Sequence, residues 1–212
     1  MEELVASITN AIACDIEEIN GVLKEKDSTR ESAIKVIREI TRISGSVVNS
    51  VHYGKYKEAQ ALLAKVKELV SSLLELVDPH PDLKYSGLIF NGLSEYVEAY
   101  VVYSIVVEGR MPSRREISVP LVPYLQGLGD VVGELRRFVV KLLNEIKVAE
   151  AETYLSIMEA IFNNLKALDY PESLIPGVRH KVDVAARLLE DTRVLILNTK
   201  NSLRCVDRSG AT

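Results

Sequence analysis

The chain has 212 residues, a formal net charge of −4, 47% hydrophobic and 26% charged residues, a composition suited to a globular protein with a full apolar core and not to a disordered or fibrous one. No apolar run approaches the ~20 residues needed to cross a bilayer. The N-terminal MEELVASITN is acidic where a secretory signal would be basic, so a soluble, cytoplasmic protein without membrane partners is expected. Net acidity also sets a condition on any nucleic-acid role, because the basic surface that such a role requires must be local.

Residues 3–25 place Leu4, Ile8, Ile12, Ile16, Ile19 and Leu23 at spacings of three and four, the stripe of an amphipathic helix. Asp27-Ser28-Thr29 offers N-cap candidates for a second helix from Arg30 to about His52, which Gly54 ends. A third helix is predicted from Lys55 to about Val77, stopped by Asp78-Pro79-His80-Pro81, since proline lacks the N–H and clashes with the preceding turn. The fourth should run from about Lys84 to Glu108 and end at Gly109. Residues 110–123, with three prolines, read as a loop. The fifth and sixth helices are expected over roughly 124–147 and 149–168, and a last one over about 179–203, with residues 206–212 a short flexible tail. Seven helices with short connections and no internal boundary imply one all-α bundle over residues 1–212. Helices this long and this broadly apolar also imply that part of their surface is covered by other subunits.

The chemical signal lies in two segments, GLSEYVEA (92–99) and GLGDVVGE (127–134). Glu95 and Glu98 are three residues apart, and Asp130 and Glu134 four apart, so each pair shares a helix face. Their neighbours are apolar or small, which points to partial burial, costly for a carboxylate without a counter-charge. Two such helices packed together would converge four carboxylates on a site suited to Mg²⁺ or Mn²⁺, whose preferred ligands are oxygens. Spacing alone leaves the plainer alternative open, because acidic pairs at helical intervals also decorate solvated faces. A di-iron bundle is set aside, since none of the three histidines follows a Glu-x-x-His pattern.

Basic residues supply the local surface. Lys35, Arg38 and Arg42 fall within an arc of roughly 60° on one helix, and Arg137 follows Glu134 by three positions. They are candidates for phosphate contacts, with solvated intrahelical ion pairs as the alternative. The tyrosines read mostly as half-buried core residues. Cys14 and Cys205 lack metal-ligand spacing and read as reduced thiols.

Four stretches, RESAIKVIREIT (30–41), GLSEYVEA (92–99), YLQGLGDVVGELRR (124–137) and ALDYPESLIPGVRHKVDVAARLLEDTR (167–193), resemble the translin family, in family order. The resemblance implies a seven-helix fold, a closed hollow oligomer, commonly an octamer, and RNA held inside, with single-stranded DNA as a further ligand. Within the family, the chain is most similar to the translin-associated factor X branch. That branch cuts RNA endonucleolytically with carboxylate-bound Mg²⁺, and Glu95, Glu98, Asp130 and Glu134 stand at the matching positions. Lys35 matches a basic residue near that site. The resemblance therefore implies a metal-dependent endoribonuclease in a homo-oligomeric cage; the alternative is a non-catalytic, translin-like binder of single-stranded RNA or DNA.

Overall fold

The computed structural model describes residues 1–209, with side chains as far as Cys205. No strand occurs among them. Helix α1 spans Glu2–His52, α2 Tyr56–Val77, and α4 Gly87–Tyr103; α4 widens into a π-turn over Ser104–Glu108. Helix α6 covers Leu121–Asn144, α7 Val148–Lys166 and α8 Val178–Ser209. Two single turns join them, α3 over Pro81–Lys84 and α5 over Arg114–Ile117.

The all-helical class follows the sequence reading, but the segmentation differs in three places. The first two predicted helices are one continuous helix of 51 residues, about 75 Å long at 1.5 Å per residue. Ser28 and Thr29 are not caps, because the stretch before them is also strongly helical and its apolar stripe runs in phase with the stripe after them. A cap residue starts a helix only where the preceding backbone leaves it. The proline-rich 110–123 segment is not bare loop: Ser113 caps a short turn by accepting from the Glu116 N–H at 3.2 Å. The fourth helix begins at Gly87 and not at Lys84, since Pro81 opens a separate turn first. The expected stops at Gly54 and Gly109 hold, both with left-handed φ (71° and 67°) that glycine adopts without strain. The tail expected over 206–212 lies outside the described side chains, and the described backbone of α8 reaches Ser209.

The packing order places the site. Helix α1 from Ala33 onward packs on α2 and α4; α6 packs on α4, and α7 and α8 lie on α6. One apolar core threads the long helices, through Ile40 and Val47 of α1, Leu73 of α2, Leu93 and Val97 of α4, Leu135 of α6, Met158 of α7 and Leu189 of α8. Helices α4 and α6 are therefore central, and what their shared seam holds is screened from solvent on several sides.

Candidate acidic site between α4 and α6

The seam depends on two glycines. A Cβ built on Gly127 would lie 2.6 Å from both the Ser94 carbonyl oxygen and Val97 Cβ, so only a residue without a side chain lets α6 approach α4 this closely. That approach sets Glu95 and Glu98 of α4 against Asp130 and Glu134 of α6. A Cβ on Gly129 would lie 2.6 Å from Lys181 Cβ, so Gly129 lets α8 approach α6 in the same way. The Lys181 side chain then reaches Asp130, with Nζ donating to Oδ1 at 2.5 Å.

The four carboxylates share a field but not an environment. Burial pushes Glu98 up to about 8, and the charges of Asp130, Glu95 and Glu134 push in the same direction. Glu95 is also raised, chiefly by burial and then by Asp130, with Lys181 opposing. Burial raises Glu134 too, but His52 and Arg137 outweigh it and hold it below the ordinary carboxylate range. His52 Nε2 sits 2.6 Å from Glu134 Oε2, and Arg137 Nη1 donates to the same oxygen at 2.8 Å. An ionised Glu134 only accepts, so the proton in the His52 contact belongs to Nε2. His52 is fixed by stacking on Phe138, with ring centroids 4.1 Å apart; its carbonyl accepts from Lys141 at 2.9 Å.

The set thus splits in two. Asp130 and Glu134 each have a cation, whereas neither Glu95 nor Glu98 has an ion-pair partner among the described residues. Half-buried carboxylates without counter-charge suit a hard cation in donor chemistry. They do not form a finished cage, since no group of three or more acidic, histidine or cysteine side chains is arranged to hold an ion among the described residues.

Of the basic residues read from the sequence, Arg137 is beside Glu134 as its spacing required. Lys35, Arg38 and Arg42 are exposed and lie a quarter-turn or more from Ile37, the α1 residue packed on Gly92 of α4. They form an outer strip on α1 and do not share the acidic cluster; the cation acting on Glu95 and Glu98 is Lys181. Arg42 is held by Glu39 through two contacts, at 2.9 and 2.5 Å. The tyrosines are also not uniformly half-buried: Tyr96, Tyr100 and Tyr103 are buried, while Tyr53, Tyr56 and Tyr85 are exposed.

Sequence reasoning missed His52 and Lys181. Neither has a local signal, because His52 is the last residue of α1 and Lys181 sits in the first turn of α8, and both reach the site only through tertiary packing.

Residues 17–191 match the model of the translin family. The chain belongs to the translin family. A relative from Methanocaldococcus jannaschii, itself uncharacterized, is 31% identical over 171 residues, covering 80% of this chain and 76% of its own length. The translin-associated protein X homolog of Schizosaccharomyces pombe is 25% identical over 178 residues, covering 76% of this chain and 77% of its own. Among solved structures, the AfC3PO complex with duplex RNA is similar at a TM-score of 0.81 and 30% identity, covering 88% of this chain and 97% of that one. Apo-NeC3PO, at a TM-score of 0.78 and 22% identity, covers 87% of this chain and 96% of its own, and shares the fold.

Proposed function

We propose that this translin-family chain binds RNA as a homo-oligomer and cleaves it with Mg²⁺ or Mn²⁺ held by Glu95, Glu98, Asp130 and Glu134. Membership of the family and the likeness to an RNA-bound AfC3PO support the RNA part. One observation carries the catalytic part. Glu98 is half-buried, pushed up to about 8, and surrounded by three carboxylates without a cation of its own, so it must hold either a proton or a positive ligand.

When bound, a divalent ion would supply Lewis-acid polarisation of a phosphate oxygen and a water of lowered pKa. The chain's own groups do the rest. Lys181 holds Asp130, and the His52–Phe138 stack fixes Glu134. Arg137 is placed to take a phosphate at the rim as well as steadying Glu134. Lys35, Arg38 and Arg42 would contact RNA further out, on α1. Function inside such an assembly fits a protein of the cytoplasm.

The test is cleavage of labelled short RNA, single-stranded and duplex, by wild type and Glu98→Ala with Mg²⁺ or Mn²⁺, alongside binding in EDTA. Metal-dependent products from the wild type alone are expected, with binding retained by both proteins. Equal cleavage by the variant would sink the assignment.

A second reading, a non-catalytic binder of single-stranded RNA or DNA, is favoured by the ion pairs themselves. Lys181, His52 and Arg137 already neutralise two of the four carboxylates, as purely structural salt bridges would. It predicts binding indifferent to EDTA and no product at any metal concentration.

A further inference from the structure

Outside the acidic seam, the N-terminal part of α1 is a long surface without a partner element among the described residues. Every residue from 1 to 25 is exposed, and the helix leaves the bundle where Lys26 pairs with Asp82 at 2.5 Å. Between Leu4 and Leu23, the large apolar side chains on this arm are 51–62% exposed. They continue, in phase, the stripe that Ala33, Ile37 and Ile40 bury in the core. An isolated helix with such a stripe gains nothing from it in water, since most helix stability in proteins comes from packing an apolar face.

A receptacle of matching form lies elsewhere on the same chain. An open groove of about 960 Å³ runs between α6 and α7, lined by Ile105, Tyr124, Leu128, Ile157, Ile161 and Leu165 among others. It follows α7 from Glu150 to Leu165, about 22 Å at 1.5 Å per residue, and the arm's stripe from Ile8 to Leu23 has the same length. Because α1 is unbroken to His52, the arm cannot fold back onto its own groove.

We propose that the arm of one copy lies in the α6–α7 groove of a second copy of this chain, a helix-in-groove contact. Charge favours this seat over arm-to-arm pairing. Residues 1–27 hold seven acidic and two basic side chains, so two arms side by side would repel. Arg110 at one end of the groove is already matched by Glu108 and Glu116, and Glu150 is the one acidic residue of the lining. Arg114 and Arg115 in the next turn, however, and Lys166 just past the other end have no ion-pair partner among the described residues. The apolar stripe covers on the order of 600 Å². The groove buries a similar area in return, about 1,200 Å² in total for one arm-in-groove contact, at the lower end of the range of stable interfaces. The contact is heterologous, and a heterologous contact builds a ring when its rotation closes.

The experiment is mass measurement by light scattering without RNA, so its outcome is independent of the RNA reading. It compares wild type, an arm variant (Ile12→Glu with Ile16→Glu) and a groove variant (Ala160→Glu, at an exposed position), each checked for helicity by circular dichroism. Wild type is expected to form a multiple of the 23.6 kDa chain, and each variant alone a smaller species. An equimolar mixture of the two variants should gain mass by pairing one to one, because the groove variant's intact arm then meets the arm variant's intact groove. A monomeric wild type, or either variant keeping the wild-type mass, overturns the proposal. A mixture that stays at the variants' mass overturns it too.

Discussion

At Gly127, the first carbon of a side chain would meet a backbone carbonyl and a β-branched Cβ, both at 2.6 Å. Neither neighbour can swing aside as the tip of a long side chain would, so Gly127→Ala must part α4 from α6. A loss of about 1–3 kcal/mol is expected from such overpacking, read as a lower urea midpoint with unchanged slope. Glu98 carries a second residue-scale prediction. Its carboxyl is raised to about 8 by burial and by its acidic neighbours, against an ordinary value near 4.5. Between those two values the folded protein holds a proton that the unfolded chain has lost, so stability falls as pH rises through this window. In chelated protein, stability should drop by on the order of a few kcal/mol between pH 5 and 8. Glu98→Gln should flatten that dependence and be the more stable form at pH 8. Parallel pH profiles for wild type and variant would mean that Glu98 is solvated and ordinary.

At the level of elements, the connection from α4 to α6 is fixed by one carboxylate. Glu116 accepts two bonds from Arg110, at 2.9 and 2.6 Å, and a third from Tyr100 at 3.1 Å; chiefly through Arg110, its carboxyl is held down at about 2. Glu116→Gln removes the charge that gathers these groups, so trypsin should cut after Arg110, Arg114 or Arg115 several-fold faster, with the rest of the bundle resistant. Unchanged digestion would show that burial of Ile117 and Val119 holds the loop by itself. The long helices, and not this connection, mark where the sequence was readable. Periodicity and the Gly54 and Gly109 stops placed the long helices, because those signals act within a few residues. The division of α1 was misread, because Asp27-Ser28-Thr29 has cap chemistry wherever it occurs, and only the continuity of flanking helix decides whether it is used. The acidic pairs were legible for the same local reason. Their partners were not, since Lys181 reaches Asp130 across 51 positions and His52 reaches Glu134 across 82.

For the whole molecule, the distribution of charge changes what the net −4 means. Residues 1–27 hold seven acidic and two basic side chains, which leaves 23 acidic and 24 basic over the remainder. The acidity therefore belongs to the arm, and the body that carries the acidic seam and the α1 strip is close to neutral. A near-neutral body with local cations can bind a polyanion, and its affinity should fall steeply with salt as counterions released from RNA become harder to displace. The α1 strip gives this a residue-level form. Lys35 and Arg38 are exposed and without ion-pair partners among the described residues, whereas Arg42 is already matched by Glu39. For a short single-stranded RNA, Lys35→Ala and Arg38→Ala should each reduce the slope of log affinity against log salt by about one. Arg42→Ala should change it less, because its charge is already matched within the protein. Slopes unaltered by the first two substitutions would remove the α1 strip from the interface and leave Arg137, at the rim of the acidic seam, as the cation to test next.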